Sequence, residues 1–231
     1  MSLRGWMLLG LALGAVGWWY SPLSPRVPPP PKVVATTPAQ VGVPGSAGAT
    51  SIANPYCPPP PRVAANAEPL QSPVPATFPA LGIETAKLVP LAGFSIDARV
   101  LSRRDYAYGR EAEYSPTDLA LGWGRMREEA VLSRLEIEQG GRWYHYRWGN
   151  GSPPIPSREI AKSSANMHLI PADQAAAAAL RRVRAGQRVR IDGWLVQVEA
   201  ADGWRWRSSL SRDDQGAGAC EVIYACGITP L

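Results

Sequence analysis

The 231-residue chain is poor in the residues that most often carry metal or thiol chemistry, with two His and three Cys. Three cysteines are too few for a disulfide-rich scaffold, and two histidines argue against a His-rich metal site. We therefore expect neither a metal ion nor a cofactor. Hydrophobic residues make up 45% of the chain, which excludes a wholly disordered protein.

The C-terminal part of the chain also lacks a large excess of charge of either sign. The whole sequence carries a formal charge of +5, but from residue 94 onward 19 basic residues face 17 acidic ones. A folded region with a net charge of +2 lacks the strong positive field of a dedicated nucleic-acid binder. Nucleic acid is therefore a disfavoured partner.

A charge-free apolar segment, GWMLLGLALGAVGWWYSPL, occupies residues 5–23. At about 1.5 Å per residue it spans roughly 28 Å, close to the hydrocarbon core of a bilayer. Trp6 at one end and Trp18 and Trp19 at the other fit the two interfacial belts. We predict an N-terminal transmembrane anchor over 1–23 that contacts the lipid bilayer. A buried core helix and a cleaved signal peptide are the alternatives, but no small-x-small cleavage site follows the segment.

The short N-terminal tail favours an inner-membrane, single-pass topology with the C-terminal domain in the periplasm, although Arg26 and Lys32 weaken this bias. Proline is concentrated next to the anchor, since 18 of 24 prolines lie between residues 21 and 90. The runs 28–31 and 58–61 favour extended polyproline II. We therefore predict a disordered Pro/Ala-rich linker over 24–92 that acts as a spacer. A docking site for a proline-reading partner is the alternative.

Regular patterns begin at Gly93 and predict strands joined by tight turns. Alternation over 94–100 indicates a half-buried strand, and Ser115 followed by Pro116 indicates the start of a short helix. A second strand over 131–137 and a third over 142–148 would form a hairpin around Gly140-Gly141.

The pattern of the second half of this region predicts an extended piece at 168–170, followed by a helix capped by Asp173 and closed by Gly186. A strand over 189–198 that bends at Gly193, a turn at 201–203 and a last strand over 220–225 come next. This order of elements resembles the OB-fold, a small Greek-key barrel, over residues 93–226. The resemblance implies an α+β domain over 93–231, built as a small, mostly antiparallel β-barrel with one main helix. A different α+β half-barrel is the alternative.

The cysteines have several possible arrangements. Cys220 and Cys226 lie six residues apart on a predicted strand, which separates them by about 20 Å. A disulfide needs Cα atoms within ~7 Å, so these two do not pair on a straight strand. Cys57 could pair with either of them or with another chain. Cys220 could equally be a small buried side chain.

Two segments carry candidate chemistry. Ser163, Ser164 and His168 offer hydroxyls and a base for a hydrolase, and Asn166 lies on the side of Ser164 and His168 in an extended chain. No G-x-S-x-G motif accompanies them, and a polar seam would use the same residues. Residues 211–218 combine two acids with glycines, but they lack the EF-hand spacing and favour an ordinary turn over a calcium site.

Arginine and aromatic residues alternate in three places: residues 103–111, 142–148 and 204–207. Together these segments could form a surface that stacks on single-stranded nucleic acid, glycans or a proline-rich peptide. The alternative is that the aromatic residues form the core while the arginines face water. The candidate ligand-binding residues are those of the predicted loop, namely Arg103, Tyr106, Tyr108 and Arg110.

The segments SSANMH (163–168) and DDQGAGACE (213–221), together with the anchor, resemble a group of bacterial single-pass membrane-anchored proteins with an OB-like C-terminal domain. This resemblance implies a class of protein and no mechanism. The favoured hypothesis is a membrane-tethered periplasmic binding or scaffolding module with a protein partner. The alternatives are a hydrolase that uses Ser163 or Ser164 with His168, and an OB-type single-stranded nucleic-acid binder.

Overall fold

The computed structural model describes residues 57–211, 213 and 219–231. The predicted anchor and the first part of the predicted linker, through residue 56, lie outside these residues, as does most of the 211–218 segment. Within the described residues, no helix is long and apolar enough to cross a bilayer.

Strands dominate the described residues, which confirms the predicted mostly antiparallel β character. The strands are β1 (Leu70–Ser72), β2 (Leu81–Ile83), β3 (Ala86–Asp105), β4 (Thr117–Gly122), β5 (Glu136–Gly140), β6 (Trp143–Arg147), β7 (Ser164–Pro171), β8 (Arg188–Ala200), β9 (Arg205–Arg207) and β10 (Glu221–Pro230). The helices are α1 (Glu129–Leu132), α2 (Ser157–Lys162) and α3 (Gln174–Arg182). Two 3-10 turns lie at Arg110–Glu113 and Gly124–Arg127.

The long strand β3 is shared between two neighbours. It pairs antiparallel with β8 from Ala86 to Arg99 and with β4 from Arg99 to Asp105. β4 pairs antiparallel with β7, β7 pairs parallel with β10, and β10 pairs antiparallel with β8. β8 pairs back to the first part of β3, but the sheet is not a closed barrel, and the predicted barrel is corrected in that respect.

A close backbone contact lies at Gly193, where the sequence predicted a bend. A Cβ atom on Gly193 would lie 2.2 Å from the carbonyl oxygen of Tyr224, so β8 and β10 approach more closely than any side chain allows. The accompanying register shift lies on β10, between Ala225 and Gly227, rather than on β8. The glycine therefore permits the close approach of the two strands, while β10 carries the extra residue.

The main core lies beneath one face of this sheet and is closed by α3. Alternate residues of the strands point into it, among them Phe94, Ile96, Val100, Leu119, Leu121, Met167, Leu169, Val189, Ile191 and Ile223. The helix begins as predicted, because the Asp173 carboxylate accepts the backbone N–H of Ala176 at 2.8 Å. Ala179 and Leu180 of α3 then pack on the core.

Two local predictions in the first half are wrong. Ser115 does not cap a helix: its hydroxyl donates to the Thr117 carbonyl at 3.3 Å, and Thr117 begins β4. The predicted strand over 131–137 is split between α1 and β5. The predicted turn at Gly140-Gly141 is confirmed, with positive φ of 57° at Gly141, but β5 and β6 form a two-stranded sheet of their own.

The predicted linker boundary at residue 93 falls inside β3, and residues 57–92 belong to the folded domain. A disulfide joins Cys57 to Cys226 of β10. The carbonyl of Pro58 accepts the Trp194 indole N–H at 2.8 Å, and a Cβ atom on Gly93 would lie 2.8 Å from Pro60 Cβ. The second proline run therefore packs on the sheet, because the disulfide, the Trp194 hydrogen bond and the close approach of Pro60 to Gly93 hold it there.

A buried carboxylate fixes the chain just after this proline run. Asp192 accepts the Ser95 hydroxyl at 2.6 Å and pairs with the Arg62 guanidinium at 3.2 Å. The Ser95 oxygen in turn accepts the backbone N–H of Val63 at 2.9 Å. Two polar contacts thus hold the 62–63 segment against β3 and β8, and the Ser95–Asp192 hydrogen bond joins their acceptors.

We predict that the Cys57–Cys226 disulfide is a main source of stability. It closes a loop with a sequence separation of 169 residues, and removing a cross-link over such a loop should lower the free energy of unfolding by about 4 kcal/mol. Urea unfolding with and without reductant measures this difference. A variant that carries both Cys57→Ala and Cys226→Ala should be insensitive to reductant, and an equal response of both proteins would contradict the prediction.

Candidate functional site

The side chains of β7 alternate between the hydrophobic core and a polar row. Ala165, Met167 and Leu169 point into the core, while the residues between them point to the opposite face. The polar row consists of Ser164, Asn166 and His168, all buried. The predicted common side of these three residues thus appears in the structure, as the alternation of a strand requires.

Asp118 of β4 is the centre of this polar row. It lies opposite His168 in the register of β4 and β7 and is fully buried. Its carboxylate accepts a hydrogen bond from Arg142 Nη1 at 2.7 Å and from Asn166 Nδ2 at 3.2 Å, and it lies 2.8 Å from His168 Nδ1. A buried carboxylate is tolerated here because a guanidinium and two further polar groups replace its water.

Arg142 connects the β5–β6 hairpin to the main sheet. It occupies the hairpin turn with a positive φ of 70°, and its guanidinium lies 3.9 Å above the Tyr106 ring. Its backbone N–H donates to the Tyr106 hydroxyl at 3.1 Å, and its Nη1 also donates to the Ser115 carbonyl at 2.9 Å. Burial, and then the charge of Asp118, raise the pKa of Tyr106.

The hairpin covers the polar row along its length. Gln139 donates from Nε2 to the Asn166 side-chain oxygen at 2.6 Å, and the Tyr144 hydroxyl donates to Ser164 Oγ at 3.4 Å. Burial raises the pKa of Tyr144 well above its ordinary value, so this phenol stays protonated. The imidazole of His168 packs on Trp206 with 4.7 Å between ring centroids. The row therefore consists mainly of contacts between elements, while Gln139 Oε1 and Arg142 Nη2 beside it have no hydrogen-bond partner among the described residues.

The structure does not bring the candidate nucleophiles to the candidate base. Ser164 Oγ donates to the Ile160 carbonyl at 2.6 Å, and Ser163 lies at the end of α2. Ser164 and His168 are four residues apart on one strand, which corresponds to about 13 Å. A base must lie within hydrogen-bond reach of its nucleophile, so this arrangement cannot activate Ser164. The geometry matches the alternative, a polar seam.

Two of the four predicted ligand-binding residues, Arg103 and Tyr106, make contacts that join elements of the fold. Arg103 donates from Nη1 to the Leu180 and Val183 carbonyls at the end of α3, and from Nη2 to Asp105 at 2.8 Å. It therefore caps the helix C-terminus, where a cation is favourable. Tyr106 lies beneath the Arg142 guanidinium.

The other two residues reach the surface where the β3–β4 loop meets the β8–β9 turn. Tyr108 is 64% exposed. Arg110 forms an ion pair with Asp202 and lies 4.9 Å above the Trp204 ring, while Tyr114 stacks on that ring at 5.5 Å. Arg110, followed by the Trp204 backbone N–H, holds the pKa of Asp202 below its ordinary value. We call these five residues, Tyr108, Arg110, Tyr114, Asp202 and Trp204, the loop patch.

Sequence reasoning missed Asp118 and Asp202, the two acids that organise these contacts. Asp118 is an isolated acid in the apolar run Thr117–Gly122, and this alternation marks a buried strand position. The preceding Ser115-Pro116 pair predicted a helix at this point, so the strand pattern around Asp118 was not recognised. Asp202 lies in a correctly predicted turn, but its partner Arg110 is 92 residues away in sequence.

Comparison of the chain with known protein families, with curated proteins and with solved structures finds no match.

We predict that Arg142 stabilises the fold through Asp118. Arg142→Gln would leave a buried carboxylate without its guanidinium, which should lower the free energy of unfolding by about 3 kcal/mol. Arg147→Gln is a matched control in the same hairpin, because Arg147 pairs with Glu136 and Glu138 at the surface. Urea unfolding of both variants tests the difference, and equal losses would contradict this role of Arg142.

Proposed function

We propose that this chain is a membrane-tethered, extracytoplasmic binding module that recognises a protein partner through the loop patch. The observation that supports it is the convergence of two distant loops into one partly exposed arginine and aromatic surface. Arg, Trp and Tyr are the residues most often found at the energetic centres of protein interfaces. The catalytic candidates, by contrast, are used in internal contacts.

The order of strand pairing supports an OB-like architecture for this module. The sequence of neighbours is β3, β4, β7, β10 and β8, with β8 pairing back to the first part of β3. The helix α3 lies between β7 and β8 in the chain, as the main helix of an OB-fold lies between its third and fourth strands. In that fold, the loops after the first and the fourth strands flank the ligand site. These are the two loops that form the loop patch.

Contacts across β4 and β7 favour a protein over single-stranded nucleic acid. In OB-folds the second and third strands present a face that binds oligonucleotides. Here the hairpin and Trp206 contact the polar row on this face. In addition, Asp202 neutralises Arg110 within the loop patch. A surface without excess charge, built around stacked rings, suits a protein partner better than a phosphate backbone.

The disulfide supports a location outside the cytoplasm. Disulfides persist in oxidising compartments such as the bacterial periplasm and are rare in the cytosol. Cys57 and Cys226 are paired across the domain, as translocation behind an N-terminal anchor would allow. The apolar segment at 5–23 would provide that anchor.

The binding proposal is tested by site-specific photocrosslinking with the full chain in living cells. A photoreactive residue in place of Tyr108 should yield a discrete protein adduct, because that side chain is exposed beside the loop patch. The same residue in place of the exposed Glu84 should not. Trp204→Ala should reduce the adduct at least about tenfold, as expected for an aromatic anchor. Trp143→Ala, which removes an exposed tryptophan from the hairpin, should leave it unchanged. Equal adducts from positions 108 and 84 would refute the loop patch as the site.

The location is tested separately with alkaline phosphatase fused to the C-terminus, an enzyme that is active only where disulfides form. We expect an active fusion that sediments with membranes. An inactive fusion, with an active cytosolic reporter at the same position, would refute the extracytoplasmic placement while leaving the binding site open to its own test.

A further inference from the structure

A second cluster of buried charge lies far from the loop patch along β8. The Asp97 carboxylate is only 1% exposed and faces three guanidinium groups. Arg188 Nη2 lies 3.0 Å from both of its oxygens, Arg127 Nη1 lies 3.6 Å from one, and Arg190 Nη2 lies 3.6 Å from the other. One carboxylate therefore serves three cations.

A fourth arginine completes this cluster at the surface. Arg99 donates from Nη1 to the Arg127 carbonyl at 3.1 Å and from Nη2 to the Glu129 carboxylate at 2.6 Å. Four arginines thus face two carboxylates, Asp97 and Glu129, which leaves a local charge of +2. A cavity of about 450 Å³ opens beside them, lined by Asn66, Arg99, Arg127, Gly186 and Arg188. We call this cavity the arginine cleft.

The guanidinium groups of the cleft are held in place by carboxylates, but some of their N–H groups make no hydrogen bond among the described residues. Among the described residues, Arg188 makes its hydrogen bonds from Nη2 alone, to Asp97 and to Asn66, so that Nη1 and Nε remain available. Two of the arginines that line the cavity carry a buried nitrogen without a hydrogen-bond partner among those residues, namely Arg99 Nε and Arg127 Nη1, of which the latter lies 3.6 Å from Asp97. Buried donors without acceptors are rare in folded proteins, and a bound anion is one way to satisfy such a cluster.

We propose that the arginine cleft binds a phosphate-type dianion through Arg99, Arg127 and Arg188. A dianion balances the local charge of +2, and planar guanidinium groups match tetrahedral oxyanions with paired hydrogen bonds. The size of the cavity suits a small ligand or a headgroup rather than a folded partner. The same chemistry is offered by a soluble phosphate monoester and by the headgroup of phosphatidic acid in the membrane.

This site is independent of the loop patch. The cleft contacts β8 at Arg188, whereas the loop patch includes Trp204, beyond the other end of that strand. A failure of the photocrosslinking experiment would therefore leave the anion site untouched, and the reverse also holds.

The test uses the full chain in nanodiscs of neutral phosphatidylcholine, titrated calorimetrically with inorganic phosphate and with acetate at matched ionic strength. Phosphate should bind and acetate should not. Arg99→Gln should weaken phosphate binding at least about tenfold, since it removes charge-assisted donors. Glu129→Gln should strengthen it a few-fold, because it removes a competing carboxylate that is 73% exposed. Arg205→Gln, an equal charge change on β9, should have no effect.

Discs that contain phosphatidic acid distinguish the two sources of the ligand. If the lipid headgroup occupies the cleft, these discs should abolish the binding of inorganic phosphate to the wild-type chain. If the ligand is soluble, phosphate should bind equally to both kinds of disc. Either result supports the anion site. Absence of phosphate binding in neutral discs, or equal weakening by Arg99→Gln and Arg205→Gln, would overturn it, and thermal unfolding of each variant without phosphate checks that its fold is intact.

Discussion

The sharing of β3 between two neighbours is the constraint on which the rest of the structure depends. Its first part pairs with β8, which sets Asp97 opposite Arg190 and Arg99 opposite Arg188. Its last part pairs with β4, which sets Asp105 opposite Thr117 and leaves the chain between them to form the loop of Tyr108 and Arg110. The arginine cleft and the loop patch therefore both follow from the register of one strand.

Three buried aspartates then attach peripheral segments to this sheet. Asp192 receives Arg62 from the proline-rich segment, Asp118 receives Arg142 from the hairpin, and Asp97 receives Arg127 from a 3-10 turn. Buried ion pairs add little net stability compared with apolar residues of the same size, but losing one partner is costly. We infer that these pairs help to fix where each segment docks, because a displaced segment would leave its buried carboxylate with one guanidinium fewer.

Local signals predicted the parts of this fold that depend on neighbouring residues. Alternation revealed β3 and β8, and Asp173 revealed the start of α3, because strand pleating and helix capping are properties of a few adjacent residues. The docking of residues 57–63 was not predictable in the same way. It depends on Trp194, Gly93 and Cys226, all far away in sequence, whereas the proline run by itself favours an extended spacer.

The candidate site shows the same division between local and distant information. The common face of Ser164, Asn166 and His168 follows from alternation, but their role depends on what covers them. In the described residues Ser164 and His168 make separate contacts about 13 Å apart on one strand, so they do not form the nucleophile and base of the predicted step. The hairpin that covers this face leaves Arg110 and Trp204 partly exposed at the end of the sheet. The loop patch, where we propose that the partner binds, therefore lies outside the part of the sheet that the hairpin covers.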